Sequence, residues 1–281
     1  MNKKNLLLDF DGTITNIDEE SEDFQQIYPE LLFEELKIKE PDYMDEFNQI
    51  KKDLKNNEKK GFILYGQDAL PASADPYILT QSSGQELIRK FNFQVGDETK
   101  LLIDLFGKTV SKIQNGKIHY REGKERTQEF LEKVKLKYNS IFITNSKKEK
   151  VENYLKEMNK SYLSEIPVIG EAKKLFVDKN FYEVPVFFIP GAFSNANFFK
   201  RKVLLRRKSY YNILKDLSEK GITEENTSVV GDTYEVDLGL PDYLGYNVIQ
   251  IENGYSKSHE RKYLGKNFVR NYNELEKLLL E

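Results

Sequence analysis

Short apolar runs separated by amphipathic segments dominate the pattern of this chain. The first run, Asn5-Leu6-Leu7-Leu8, is too short for a helix and is followed at once by Asp9-Phe10-Asp11-Gly12-Thr13. A run of this length predicts a strand that is buried on both faces, as in a parallel sheet. Because open parallel sheets bind ligands at the carboxyl ends of their strands, Asp9 and Asp11 are candidate functional residues.

From Gly123 to the end of the chain, helix-like segments alternate with further apolar runs. We predict strands at 140–143, 184–189, 227–230 and 247–251, and a last apolar run at 267–269 ahead of a terminal helix. Strands separated by helices indicate an α/β fold with a doubly wound parallel sheet. Residues 16–122 instead contain several helix-like segments. We therefore predict a core formed by residues 1–15 and 123–281, and a helical insertion at 16–122.

Composition narrows the possible functions. The chain has 281 residues, of which 39% are hydrophobic and 32% charged, and its net charge of −3 favours neither nucleic acid nor an anionic membrane. The absence of cysteine excludes disulfides, thiolate metal sites and cysteine catalysis. Two histidines, His119 and His259, are too few for a histidine-rich metal site. No stretch has the apolar length of a membrane span, so we expect a soluble cytoplasmic protein.

The two aspartates after the first strand carry the strongest chemical signal. Asp9 and Asp11 leave the strand close together, so repulsion between their charges should separate their pKa values unless a cation neutralises them. A hard cation such as Mg²⁺, held by carboxylates and a substrate phosphate, fits this arrangement. Gly12 lets the chain turn immediately and approach a ligand with its backbone.

Polar groups also follow the predicted strand at 140–143. Thr144-Asn145-Ser146 opens a helix, and hydroxyl and amide donors beside free helix N–H groups can bind an anion. The alternative is an ordinary helix N-cap.

A third group of polar residues follows the predicted strand at 227–230. Gly231-Asp232 and Asp237 stand at the start of a helix and can hold a metal and a nearby lysine, or they can simply cap the helix and complement its dipole. A basic cluster precedes another helix and consists of Lys202, Arg206, Arg207 and Lys208. A solvated basic loop is the alternative for this cluster, and nucleic-acid contact is a poorer one.

In this order, the motifs Asp-x-Asp-Gly-Thr, Thr-Asn, a basic residue and Gly-Asp-x₄-Asp resemble those of the haloacid dehalogenase superfamily of aspartate-nucleophile phosphatases. The resemblance spans Asp9 to Asp237, which is most of the chain. Residues 16–122 lie where that superfamily inserts a cap domain. The resemblance thus implies a Rossmann-like core with an α-helical cap.

The resemblance also implies catalytic and metal-binding roles. Asp9 would attack phosphorus and form an aspartyl-phosphate, and Asp11 would serve as the general acid and base. Mg²⁺ would be held by Asp9, the backbone carbonyl of Asp11 and Asp232, with Asp237 supporting the metal or the basic residue. The acid at position 11 favours phosphate-ester hydrolysis over halide displacement.

Phosphate binding is implied for Thr144, Asn145 and a lysine. The third motif of the superfamily usually reads Lys-Pro, whereas this chain has Lys208-Ser209. The helix that begins near Tyr210 favours Lys208 for this position, and Arg207 is the alternative.

The function that follows is a Mg²⁺-dependent phosphatase that hydrolyses a small phosphorylated metabolite. A binding or regulatory protein that retains the scaffold without catalysis is one alternative. A nucleic-acid end-processing phosphatase, using residues 200–208 to hold the backbone, is the other.

Overall fold

The computed structural model describes residues 3–38, 42–113, 119–158, 160–191, 199 and 201–281. The chain forms two compact units, one made of residues 1–16 and 118–281 and the other of residues 17–117. The predicted boundaries, 15/16 and 122/123, lie within five residues of these.

Ten strands and eleven α-helices are found in the described residues. The strands are β1 (Lys4–Leu8), β2 (Gly61–Leu64), β3 (Gln67–Pro71), β4 (Tyr138–Ile143), β5 (Val168–Ile169), β6 (Phe187–Phe188), β7 (Val203–Leu204), β8 (Thr227–Gly231), β9 (Asn247–Ile251) and β10 (Phe268–Val269). The helices are α1 (Ile17–Glu20), α2 (Glu22–Leu36), α3 (Asp42–Lys55), α4 (Pro76–Lys90), α5 (Glu98–Lys112), α6 (Lys124–Lys137), α7 (Lys148–Glu157), α8 (Lys208–Glu219), α9 (Gly239–Tyr243), α10 (Ser258–Leu264) and α11 (Tyr272–Leu280).

A six-stranded sheet forms the centre of the first unit. Its strand order is β10-β9-β8-β1-β4-β5, and all neighbouring strands are parallel. Strand β1 lies between β8 and β4, so the loops that follow these three strands meet at one edge of the sheet. The predicted doubly wound parallel sheet is confirmed.

One predicted strand does not belong to this sheet. In the segment 184–189 only Phe187–Phe188 is a strand, and it pairs with β7 in a separate antiparallel ribbon. Val186 and Phe187 are 43% and 39% exposed, whereas a central parallel strand must be buried on both faces. The strand at the edge of the main sheet beside β4 is instead β5. Its two residues are too few to give a recognisable pattern of apolar positions.

Both faces of the sheet are covered by apolar side chains. Leu6 and Leu8 of β1 belong to one cluster, with residues of α6, α7 and α11, and Leu7 belongs to the cluster on the other face, with residues of α8. Because successive strand side chains point to opposite faces, three consecutive leucines anchor β1 in both layers. Burying each leucine contributes about 1.5–3 kcal/mol, which makes β1 a rigid support for the loop that follows it.

The second unit is mainly helical. It contains α1 to α5, and the antiparallel pair β2–β3 is an addition to the predicted helices. Helix α4 begins where the sequence breaks at Pro71–Pro76: the Asp75 side chain accepts a hydrogen bond from the Ile78 N–H (2.7 Å), and Pro76 occupies the first turn. Within the described ranges, no helix has both the length and the apolar character that a bilayer crossing requires.

Candidate active site

Three carboxylates meet at the carboxyl edge of the sheet. Asp9 follows β1 and its backbone N–H donates to the Val230 carbonyl of β8 (2.8 Å), which fixes the start of the loop. Asp232 and Asp237 follow β8. Each of the three offers an oxygen atom, and these atoms lie within 4.8 Å of one another in a buried position.

A lysine that the sequence did not single out joins this cluster. The Lys174 ammonium group lies 2.6 Å from Asp9 Oδ1 and 2.5 Å from Asp237 Oδ1, and its side chain is 1% exposed. Its backbone is held on both sides: the Lys174 N–H donates to Asn145 Oδ1 (2.7 Å), and the Arg207 guanidinium donates to the Lys174 carbonyl (2.6 Å). These bonds direct the lysine into the cluster.

The charges of the cluster shift its pKa values strongly. Burial, followed by the nearby charge of Asp237, raises the pKa of Asp9 to about 8, against the lowering influence of Lys174. Burial and the charges of Asp237 and Asp9 also raise the pKa of Asp232 well above its usual range. Burial opposes the charge of Lys174, but Asp237 and Asp9 outweigh it and raise the lysine's pKa. One ammonium does not balance three carboxylates, so the cluster has a deficit of positive charge.

Asp232 is packed against the loop after β1. Gly12 has a φ angle of +80°, and a Cβ atom there would lie 2.0 Å from Asp232 Oδ2. The same oxygen, Asp232 Oδ2, accepts a hydrogen bond from Asn253 Nδ2 (2.7 Å), and Gln250 Nε2 donates to the Asp232 carbonyl (3.0 Å). Glycine is therefore required at position 12 both by the backbone and by the space that Asp232 occupies.

Asp237 is oriented by an unusual helical turn. Tyr234–Leu238 form a π-type turn, and the Thr233 N–H donates to Asp237 Oδ2 (3.1 Å). The wide turn directs Asp237 towards Lys174, and single π-turns of this kind are frequent at functional sites. The short helix α9, which contains Pro241, follows this turn.

Asp11 lies in a different environment from Asp9. Its Oδ2 accepts a hydrogen bond from the Thr144 hydroxyl (3.0 Å), and its Oδ1 lies 2.7 Å from the Lys150 ammonium group of α7. The Asp11 side chain is 25% exposed. Burial acts to raise the pKa of Asp11, but the charge and hydrogen bond of Lys150 prevail and lower it.

The structure does not bring Lys208 to the carboxylates. Its side chain is 57% exposed and its ammonium lies 3.9 Å from Asp178, whereas the Lys174 ammonium lies 2.6 Å from Asp9. Arg207 is completely buried and acts through the Lys174 carbonyl. Asn145 uses its carbonyl oxygen for Lys174, while Thr144 contacts Asp11.

The basic cluster of Lys202, Arg206, Arg207 and Lys208 is divided between exposed and buried positions, with Lys202 and Lys208 exposed. Arg207 is buried, the Lys202 ammonium lies 4.0 Å from the centre of the Phe187 ring, and Arg206 lies over Tyr182 at 4.7 Å. Lys200, which the nucleic-acid alternative would use, lies outside the described residues. Of these contacts, the one between Lys202 and Phe187 joins the residue ahead of β7 to β6.

The donor set fits a hard divalent cation. One ammonium cannot keep three buried carboxylates ionised, so the pKa values of Asp9 and Asp232 rise, and a divalent cation would supply the missing positive charge. Carboxylate oxygens are the ligands that Mg²⁺ prefers. Asp9 and Asp232 have oxygen atoms within the cluster, and Asp237 is engaged with Lys174. Those carboxylates are thus suited to hold such a cation.

Comparison with known proteins identifies the fold. No family model matches the sequence, and no curated protein matches it significantly. Among solved structures, a predicted phosphatase from Clostridium acetobutylicum is 15% identical with a TM-score of 0.51, and the alignment covers 99% of both chains. The candidate HAD-hydrolase YfnB from Bacillus subtilis, solved with bound magnesium, is 14% identical with a TM-score of 0.50 and covers 99% of both chains. A haloacid dehalogenase-like hydrolase from Streptococcus pneumoniae is 13% identical with a TM-score of 0.50 over 98% of both chains.

The chain has the haloacid dehalogenase fold. The likeness covers both of its units, and the expected fold is confirmed. At 13–15% identity the likeness establishes the fold, and the chemistry has to be argued from the residues of this chain.

Three residues of the site in this haloacid dehalogenase fold were not predicted from the sequence. Lys174 follows the two-residue strand β5, which was not recognised, so its place at a strand end was hidden. Lys150 lies inside α7, and Asn253 follows β9. The one sequence signal that could have indicated Lys174 is the short apolar pair Val168–Ile169 ahead of Gly170, because Lys174 follows it closely.

Proposed function

We propose that this protein is a Mg²⁺-dependent phosphatase that hydrolyses small phosphate monoesters through an aspartyl-phosphate. The observation that carries the proposal is the buried cluster of Asp9, Asp232 and Asp237 around Lys174, with Asp11 beside it at the edge that reaches solvent. The haloacid dehalogenase fold and the magnesium bound to the Bacillus subtilis neighbour add support. The second unit would be the cap that restricts substrates to small molecules, and we expect the enzyme to work in the cytoplasm.

In the first half of the reaction Asp9 would act as the nucleophile. Its carboxylate oxygen attacks phosphorus and the bond from phosphorus to the ester oxygen breaks. Because Lys150 lowers the pKa of Asp11, Asp11 has to take up a proton in the substrate complex, and it would donate that proton to the departing alkoxide. The products are the free alcohol and an aspartyl-phosphate at Asp9. Lys174 lies against Asp9 and would neutralise charge on the transferring phosphoryl group. The hydroxyl of Thr144 and the amide of Asn145, which precede α7, would donate hydrogen bonds to its oxygens.

In the second half Asp11 would act as the base. It takes a proton from a water molecule, whose oxygen attacks phosphorus and releases inorganic phosphate and the Asp9 carboxylate. Asp9, Asp232 and the loop at Asp11, with Asp237 in support, would hold Mg²⁺, which would supply positive charge beside the phosphoryl group. The hydrogen bond from Asn253 would hold the Asp232 carboxylate in position for this role.

Hydrolysis of p-nitrophenyl phosphate by purified protein tests this proposal. We expect turnover that requires Mg²⁺ and falls on the order of 10³-fold or more in Asp9→Asn, since the nucleophile is removed without changing its shape. Asp178→Asn, a matched change at an exposed carboxylate, should keep wild-type activity. A panel of metabolite phosphates follows if the aryl ester is inert, and a wild type that hydrolyses none of them would favour a non-catalytic binding protein.

A further inference from the structure

Asp237 and Lys174 pair through their side chains, and both are also held through their backbones by one helix. The Lys174 ammonium lies 2.5 Å from Asp237 Oδ1. The Arg207 guanidinium donates to the Lys174 carbonyl (2.6 Å), and the Tyr210 hydroxyl donates to the Asp237 carbonyl (2.8 Å). Arg207 is the residue ahead of α8, and Tyr210 is the third residue of that helix. The start of α8 therefore holds both partners of the buried ion pair.

The Asp237 carbonyl lies where the regular hydrogen bonding of its own segment is interrupted. In an α-helix this oxygen would accept a hydrogen bond from the N–H of the residue four positions further on. Here that residue is Pro241, which has no N–H, and Asp237 belongs to the π-type turn that leads into α9. Tyr210 brings a donor from another helix to this carbonyl. Its hydroxyl thus takes the place of the amide that the proline lacks.

Tyr210 is packed so that its hydroxyl has a fixed position. The residue is 2% exposed and belongs to the apolar cluster that contains Leu7 of β1. A buried hydroxyl costs free energy unless it is hydrogen-bonded, so the packing of the ring and the bond to Asp237 support each other. The centre of the same ring lies 5.8 Å from the Lys174 ammonium, within the range at which an aromatic ring attracts a cation. Tyr210 therefore contacts both members of the ion pair.

The Asp237 side chain is restrained from the side of β8. A Cβ atom at Gly231, the last residue of β8, would lie 2.4 Å from the Asp237 Cβ, so the aspartate packs directly on the strand. The Thr233 N–H donates to Asp237 Oδ2 (3.1 Å). The strand and its loop thus hold the carboxylate, whereas Tyr210 holds the backbone that carries it. Because an aspartate side chain is short, a shift of this backbone would move Oδ1 away from Lys174.

We propose that Tyr210 is a positioning residue of the active site: its hydroxyl fixes the Asp237 backbone, and Asp237 in turn holds the Lys174 ammonium against Asp9. A lysine side chain has many rotamers, so its ammonium stays at one place only when its partners do. The effect on catalysis rests on the proposed phosphatase function, in which Lys174 neutralises charge on the phosphoryl group. Tyr210 acts through Asp237 and Lys174 and takes no part in the bond changes.

A double-mutant cycle in the full-length enzyme tests the proposal. Tyr210→Phe keeps the ring and removes the hydroxyl. Its kcat for p-nitrophenyl phosphate should fall about threefold to tenfold with KM unchanged, in line with the loss of one hydrogen bond. In a Lys174→Met background the same change should lower kcat no further, because Tyr210 acts through Lys174. If the two losses multiply in the double variant, Tyr210 supports only the fold and the proposal is wrong.

Tyr211→Phe is the matched control for the loss of a tyrosine hydroxyl. Tyr211 is the next residue of α8, and its ring packs against Phe181 with the ring centres 5.1 Å apart, a contact that phenylalanine keeps. This variant should retain the kcat and KM of the wild type. A loss equal to that of Tyr210→Phe would show that any change at the start of α8 has this effect, which contradicts a specific role for Tyr210.

A spectroscopic measurement keeps the inference separate from the proposed function. The Lys174 ammonium is buried between two carboxylates, so its hydrogens should exchange slowly with water and give a ¹H–¹⁵N NMR signal in metal-free protein labelled at lysine. Lys174→Met assigns this signal by removing it. Tyr210→Phe should shift or broaden the signal and Tyr211→Phe should not, which supports the inference even if no ester is hydrolysed and the phosphatase proposal fails. An unchanged signal in Tyr210→Phe would overturn the inference, while Asp9-dependent hydrolysis would still support the phosphatase proposal.

Discussion

Asp9 and Asp11 are separated by one residue and lie in opposite environments. Asp9 is buried among Asp232, Asp237 and Lys174, and its pKa rises to about 8 because burial and the neighbouring carboxylate disfavour its charge. Asp11 is 25% exposed beside Lys150, which prevails over burial and lowers its pKa. The deep half of the site, formed by Asp9, Asp232, Asp237 and Lys174, is short of positive charge. In the shallow half, formed by Asp11 and Lys150, the lysine balances the carboxylate. The deep half is thus the part of the site that is suited to a metal ion.

The largest effect should come from removing the deep lysine. In Lys174→Met we expect kcat/KM to fall on the order of 10²–10³-fold, because charge on the phosphoryl group is no longer neutralised. Without Mg²⁺ the variant should also lose about 3–5 kcal/mol of unfolding free energy, since Asp9 and Asp237 lose their buried partner. Steady-state kinetics and urea unfolding measure the two effects.

Lys208→Met is the matched control for that experiment. Lys208 is largely exposed and its ammonium lies 3.9 Å from Asp178, a pair in contact with solvent, so both activity and stability should stay close to the wild type. A greater loss of activity in Lys208→Met than in Lys174→Met would return the third-motif role to Lys208.

Two glycines with similar φ angles should distinguish the effect of backbone strain from that of crowding by a neighbouring side chain. Gly12 and Gly221 have φ angles of +80° and +85°, so alanine at either position should cost about 1–2 kcal/mol of unfolding free energy. Only at Gly12 would the new Cβ meet Asp232, at 2.0 Å, whereas nothing lies within 4 Å at Gly221. Gly12→Ala alone should therefore weaken Mn²⁺ binding, by about tenfold or more, as measured by calorimetry. Equal metal affinity in the two variants would show that Asp232 does not hold the ion.

Metal binding should depend on pH through the deep half. Because the pKa of Asp9 is raised to about 8 in the metal-free protein, the cluster retains a proton near neutral pH, and a bound cation has to displace it. Mg²⁺ affinity should then rise by up to about tenfold per pH unit between pH 6 and 8, with proton release. Calorimetry in buffers of different ionisation enthalpy measures that proton. A pH-independent affinity would contradict the raised pKa, and Asp178→Asn should leave the slope unchanged.

The smallest effect should come from the shallow ion pair. Lys150 and Asp11 are 46% and 25% exposed, so Lys150→Met should change the unfolding free energy by no more than about 1 kcal/mol. Urea unfolding beside Lys174→Met makes the comparison direct. If Lys150→Met lost as much unfolding free energy as Lys174→Met, the two halves of the site would depend equally on their ion pairs.

The sequence by itself predicted the parallel sheet and the four carboxylates at its edge, Asp9, Asp11, Asp232 and Asp237. The apolar runs before Asp9, Thr144 and Asp232 were long enough to be recognised as buried strands, and parallel strands end at one edge, so these residues had to meet. The same reasoning failed at 184–189, where an apolar run became an exposed ribbon, and at β5, where two residues give no pattern. Burial on both faces, which distinguishes these two cases, is a property of the packed sheet.

Only the tertiary structure decided which cation serves which carboxylate. Lys150, Lys174 and Lys208 are chemically identical in the sequence, and each follows or begins a plausible element. Their contacts differ because Asn145 and Arg207 turn Lys174 inward, α7 aims Lys150 at Asp11, and Lys208 starts a helix at the surface. Charge pairing depends on distances between residues far apart in the chain, and those distances are set by the packing of the strands and helices that carry them.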